Sequence, residues 1–133
     1  YIVCDEFRLL PHLTHLEDAV NFGRGLGIKI LAGVQSINQL KAGYGEYVGK
    51  NIMAGFSSIF SFRPNDSFTR EYVSNFFGKN IVVEQYDVLD GSLKEERKTA
   101  FVVEDWHLNE LEIGEAVIGF PFHTPFKFRF DLF

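Results

Sequence analysis

Only one of the 133 residues is cysteine, so no disulfide can close within the chain, which agrees with a cytoplasmic compartment. Long apolar runs are also missing. No stretch approaches the roughly 18 apolar residues that a membrane-spanning helix requires, and no secretory leader precedes the first strand-like segment. Positive charge is scarce, with 13 Lys and Arg against 18 Asp and Glu, for a net charge of -5. The chain as a whole is therefore no electrostatic footprint for nucleic acid, and any such role needs a local basic surface. No G-x-S-x-G occurs, so Ser36, Ser57 and Ser58 lack the setting of a nucleophile elbow. His12 and His15 lie three apart but straddle a helix start without a third ligand nearby, which argues against a metal site. Internal repeats, low-complexity tracts and linkers are absent too.

What remains is globular composition, 46% hydrophobic and 23% charged, at a length that suits one domain with its own core. Fifteen phenylalanines form a heavy aromatic load, concentrated after residue 56. The chain opens in mid-strand without an initiator Met and reads as a piece of a longer protein.

The organising stretch is Tyr1-Ile2-Val3-Cys4-Asp5-Glu6, an apolar run that ends in two carboxylates. A continuous apolar run predicts a parallel strand buried on both faces, with Cys4 as a small core residue. Acids at its carboxyl end would sit at the rim where open α/β sheets bind ligands. Nucleotide hydrolysis uses such a pair: one carboxylate for Mg²⁺, usually through water, and one to orient or deprotonate the attacking water. Taken alone, the pair more simply ends a strand and begins a loop; the residues that follow reverse that reading.

Thr14 with Glu17 predicts a capping box, stapled by Leu13, for a helix through Leu16, Ala19, Val20 and Phe22. Gly23-Arg24-Gly25-Leu26-Gly27 ends it. Residues 28–34 read as a second buried strand, and Ser36 with Gln39 starts the next helix, leaving Gln35 at the strand's end. Strand, helix, strand in this span is a right-handed βαβ unit. A loop over 41–47, a short helix over 48–54 and a strand over 56–62 follow. Asn65 or Asp66 caps a helix through Tyr72 and Phe77, with Gly78 beyond it. Residues 81–88 and 98–104 predict a hairpin whose exposed connection includes 94–97. A short helix capped by Asp105 precedes two closing strands, 116–120 and 126–130. Alternating Phe126, Phe128 and Phe130 predict one buried face, with Lys127 and Arg129 outward. Stacking of this Phe-rich tail on single-stranded DNA is the less simple alternative.

Taken in order, Asp5-Glu6-Phe7, Leu10-Pro11, Gly23-Arg24 before Gly27-Ile28, Gln35-Ser36, Gln39-Leu40, Tyr44-Gly45, and Asp66 before Tyr72-Val73-Ser74 and Gly78 closely resemble the TraG/TraD-like coupling proteins of conjugation and type IV secretion. The similarity is good from Tyr1 to about Gly78 and loose beyond. It implies a partial RecA-like P-loop ATPase fold: an α/β layer of buried parallel strands with helices, then a C-terminal β-hairpin-rich segment. Residues 1–78 would carry the core from the acidic pair to the sensor, and 79–133 a β-rich extension of one fragment. It implies ATP and Mg²⁺ as cofactors, with Asp5 (through water) and Gln35 contacting them. Asp5 and Glu6 match the acidic pair, Gln35 the phosphate-sensing glutamine, and Arg24 a finger acting on the adjacent subunit. Implied partners are single-stranded DNA, relaxosome proteins, a type IV secretion channel and further copies in a homo-hexamer, at the cytoplasmic face of the bacterial inner membrane.

One departure is large. No G-x-x-x-x-G-K-[ST] occurs in these residues, so the phosphate-binding loop and membrane anchor are expected upstream, and the isolated chain is expected to be inactive. Two other readings stand beside this one: a VirB-type secretion ATPase, or a non-catalytic interaction module that keeps a RecA-like shape.

Overall fold

A computed structural model describes residues 1–7, 13–87 and 93–131. The Leu10-Pro11 pair, His12 and the tip of the hairpin lie outside the described residues. The elements run β1 (Ile2–Cys4), α1 (Leu16–Phe22), a 3-10 turn (Gly23–Leu26), β2 (Ile30–Ala32), α2 (Ile37–Tyr44), α3 (Glu46–Ala54) and β3 (Ile59–Ser61). They continue with α4 (Ser67–Phe77), β4 (Lys79–Asp87), β5 (Leu93–Phe101), α5 (Asp105–Asn109), β6 (Glu115–Gly119) and β7 (Phe126–Arg129).

β1 and β2 pair in parallel, Ile2 with Ile30 and Cys4 with Ala32, which makes the βαβ unit expected from the sequence. Cys4, Phe7, Leu16, Val20, Ile37, Leu40, Ile52 and Met53 form the core beneath this pair. Burial on both faces does not occur here. Val3 and Leu31, partners in register, are 68% and 62% exposed. Among the described residues β2 is the only strand beside β1, and the helices cover one face.

Helix α1 starts later than its capping pattern suggests. His15 is the N-cap residue, at φ 66°, and makes no side-chain cap bond. Its ring instead lies 3.1 Å from Asp18 Oδ2. Phe22 at the far end is exposed rather than part of the apolar stripe. The loop expected over 41–47 is mostly helix, broken only where Gly45 adopts φ 85° between α2 and α3.

A second core joins Val73 of α4, Leu108 of α5, Leu111 and Val117 of β6. Arg70 Nε donates to Asp105 Oδ1 at 2.7 Å and ties α4 to α5. Both helices cover one side of an antiparallel sheet ordered β3-β6-β7. On that side Gly119 leaves room for the Phe77 ring, which an added Cβ would meet at 2.3 Å. Lys127 and Arg129 are exposed and pair with Glu115 and Glu112. The other side carries Phe60, Phe62, Phe120, Phe126, Phe128 and Phe130, each between 36% and 52% exposed. The buried face expected for Phe126, Phe128 and Phe130 is therefore half open, because no described element packs over it. Its rings touch one another instead, as in the 4.8 Å edge contact of Phe128 with Phe130.

The hairpin is present and longer than expected. β4 and β5 pair from Lys79 with Phe101 to Asp87 with Leu93, so residues 94–97 belong to the ladder and not to the connection. Both of its faces are largely open to solvent.

Candidate functional site

The parallel register brings the carboxyl ends of β1 and β2 to one rim. Asp5 and Glu6 leave β1 there, and Gly33, Val34 and Gln35 leave β2. Two further main-chain bonds continue the pairing past the strand ends: Gly33 N–H donates to Cys4 O at 2.7 Å, and Phe7 N–H donates to Gly33 O at 2.9 Å. Between these bonds the two chains run so close that a Cβ on residue 33 would lie 2.3 Å from the Asp5 carbonyl oxygen. Only glycine fits at that point. In the sequence Gly33 reads only as part of the second strand, although a glycine inside a strand pattern is a signal of close backbone approach.

Across this clasp, Gln35 Nε2 donates to Glu6 Oε2 at 2.9 Å. The other carboxylate oxygen, Glu6 Oε1, is buried and has no hydrogen-bond partner among the described residues. A buried anionic acceptor without a donor is costly and fits a water or ligand group that brings one. Asp5 is exposed beside it. Three of the residues singled out from sequence thus stand at one rim.

Arg24 does not join them. It sits in the 3-10 turn that enters β2 from its amino end, where Gly27 N–H donates to Arg24 O at 3.1 Å, and it is exposed. Arg24 and Gln35 therefore flank opposite ends of β2.

Among the described residues no three His, Cys, Asp or Glu side chains cluster as a metal cage. The donor set at the rim is two adjacent carboxylates. That set fits Mg²⁺ poorly as a closed protein site but well as a shared one, because Mg²⁺ keeps waters and is commonly held by one or two carboxylates plus substrate phosphates. No helix of the described residues is long and apolar enough to cross a membrane.

Comparison with known proteins gives a consistent picture. A family model described as the TraM recognition site of TraD and TraG matches residues 1–105. No curated protein matches. Among solved structures, the bacterial conjugative coupling protein TrwBdeltaN70 in its unbound monoclinic form superposes with a TM-score of 0.87 at 28% identity, over 97% of this chain and 31% of that one. The plasmid coupling protein TrwB in complex with ADP and Mg²⁺ matches at a TM-score of 0.79 and 27% identity, over 97% of this chain and 30% of that chain. Its complex with the non-hydrolysable GTP analogue GDPNP matches at 0.79 and 28% identity, with the same coverage. The chain thus spans about 30% of the length of these structures. The likeness bears out the RecA-like mixed α/β fold expected from the sequence, with its parallel pair and its antiparallel hairpin.

Proposed function

Because this chain belongs to the family described as the TraM recognition site of TraD and TraG, the TraG/TraD-like coupling proteins of conjugation, we propose that its β1–β2 rim is half of an ATP-hydrolysing site. The observation that carries this reading is the bond from Gln35 Nε2 to Glu6 Oε2 at a shared strand rim. Its parent would be a motor that drives DNA and protein substrate into a type IV secretion channel. Two of the solved TrwB structures hold ADP with Mg²⁺ or the analogue GDPNP, which supports a nucleotide as the ligand of this rim as well.

Each residue has a task that its chemistry suits. Glu6, with one oxygen held by Gln35 and the other free, orients or deprotonates the attacking water. Asp5, exposed beside it, holds the waters of Mg²⁺. Gln35 has a donor and an acceptor on one amide and can exchange its bond to Glu6 for one to a phosphate oxygen or water, so it registers whether the phosphate is present. When bound, ATP would supply the phosphoryl group and Mg²⁺ would neutralise its charge. Arg24, at the opposite strand end, serves the site of an adjacent subunit, where a guanidinium stabilises developing phosphate charge. That division requires an oligomer, for which the homo-hexamer is the expected form. The phosphate-binding lysine comes from outside these 133 residues.

In this reading residues 1–78 carry the nucleotide chemistry and 79–133 form a β-rich extension. The family description makes a relaxosome protein of the TraM kind the first partner to test, with single-stranded DNA the transported polymer. The working place is the cytoplasmic face of the bacterial inner membrane. The deciding experiment measures DNA-stimulated ATP hydrolysis by the full-length protein and its Glu6→Gln variant. Loss of hydrolysis with nucleotide binding retained supports the reading; unchanged hydrolysis overturns it.

A further inference from the structure

We infer that Thr69 in the first turn of α4, braced by the N-cap Asp66, is a positioning residue that holds Gln35 against Glu6 by gripping the start of the helix that follows Gln35 in the chain. Helix α2 begins immediately after Gln35. Its N-cap Ser36 accepts from Asn38 N–H at 3.3 Å through its side chain. The next residue, Ile37, donates its N–H to Thr69 Oγ1 at 3.1 Å. Thr69 in turn donates its hydroxyl to Asp66 Oδ2 at 2.8 Å and its N–H to Asp66 Oδ1 at 2.9 Å.

The arrangement does more than cap α4. Capping that helix needs only the bond from Thr69 N–H to Asp66. The Thr69 hydroxyl, its own proton given to the second Asp66 oxygen, reaches across to another helix and satisfies one of the unpaired N–H groups at its start. Ile37 is thereby fixed relative to α4. Gln35 lies two residues before the gripped Ile37 and two residues after Gly33 of the clasp. A glutamine has three rotatable side-chain bonds, so its amide meets Glu6 reliably only if its backbone is held on both sides. Through Arg70 and Asp105, α4 also connects this grip to α5.

The inference rests on the proposed hydrolytic site for its effect on turnover, but not for its geometry. The test therefore has two arms. Thr69→Val keeps the shape of the residue and the cap bond of its N–H, and removes only the hydroxyl; Thr69→Ser restores it. In the 133-residue chain, NMR follows the Gln35 side-chain amide. Thr69→Val should move its resonances toward those of a free amide and speed their exchange by about 3- to 10-fold, the weight of one hydrogen bond, while Thr69→Ser leaves them unchanged. A lowered Tm with an unmoved Gln35 amide would make Thr69 merely structural and overturn the inference. Should Thr69→Val not fold, Asp66→Asn, which can keep the Oδ1 cap bond and loses the Oδ2 acceptor of the Thr69 hydroxyl, is read in the same way.

In the full-length protein, Thr69→Val should slow ATP hydrolysis by about 10-fold or more, since misplacement by about 1 Å can cost 100-fold, with nucleotide affinity nearly unchanged and rescue by Thr69→Ser. If Gln35→Ala leaves hydrolysis intact, the functional reading fails, whereas the grip still stands or falls by the amide spectrum.

Discussion

Gln35 Nε2 donates to Glu6 Oε2 across 2.9 Å, from the strand next to the one that carries the acid. The bond leaves Glu6 Oε1 buried and open. Replacing Gln35 by Ala frees the second oxygen as well, so the carboxylate loses its fixed direction. In the full-length protein this should cut ATP hydrolysis by about 100-fold while leaving nucleotide affinity within a few fold, the pattern of an interaction made in the transition state. Steady-state turnover and equilibrium nucleotide binding check it.

Gly33→Ala probes the clasp beneath the site. The new methyl would stand 2.3 Å from the Asp5 carbonyl oxygen, which is main chain and cannot swing aside. The chain should lose about 1–3 kcal/mol of stability, as for overpacking elsewhere, and the Asp5 and Glu6 amide resonances should shift most. Chemical denaturation followed by an NMR map of the variant tests both statements.

Arg24→Ala should leave nucleotide binding by the full-length protein intact and abolish hydrolysis. Mixing this variant with Glu6→Gln subunits should restore part of the activity, because a mixed ring contains interfaces with one intact acid and one intact arginine. Silence of the mixture would argue that Arg24 acts within its own subunit or only braces its turn.

Asp66 makes stability depend on acid. Burial pushes its pKa up, but hydrogen bonds from the Thr69 main chain, the Thr69 hydroxyl and Ser36 outweigh this and hold it below the ordinary aspartate value. A depressed pKa contributes stability that is present in full above the unfolded value, about 3.9, and is lost as pH falls through the folded value. Thermal melts of the wild type and Asp66→Asn should therefore differ most near neutral pH and converge below about pH 4.

Phe122 is fully exposed yet sits at φ 65°, in the left-handed region that disfavours side chains. Phe122→Gly should stabilise the chain by about 0.5–1 kcal/mol, since relief of about 1–2 kcal/mol exceeds the added freedom of glycine in the unfolded state. A rise in Tm reads this directly.

The parts legible in the sequence are those decided locally. Ser36 and Asp66 are caps because a short polar side chain before an apolar helix has few other uses, and both cap bonds form. Gln35 falls beside Glu6 because a βαβ unit sends both strand ends to one rim. Thr14 and Glu17 fit the same capping rule and fail, since His15 turns into the left-handed region and delays the helix to Leu16. Burial was the less legible property. Val3 and Leu31 belong to continuous apolar runs and the phenylalanines of β7 to an alternating one, but neither pattern says what covers the faces it marks. The charged run 94–97 reads as a connection in the sequence because a ribbon open on both faces has no inward side to mark it as a strand. Gly33, Asp66 and Thr69 act through contacts between segments thirty residues apart, which spacing within either segment does not reveal.

β2 is only three residues long, about 10 Å of extended chain, with the turn of Arg24 at one end and Gln35 at the other. So short a strand, paired along its whole length, has almost no slack to absorb a displacement. If each end serves a different nucleotide, as proposed, a shift imposed by one is delivered to the other as rigid motion, and turnover in neighbouring subunits becomes a matter of mechanical timing rather than of chance.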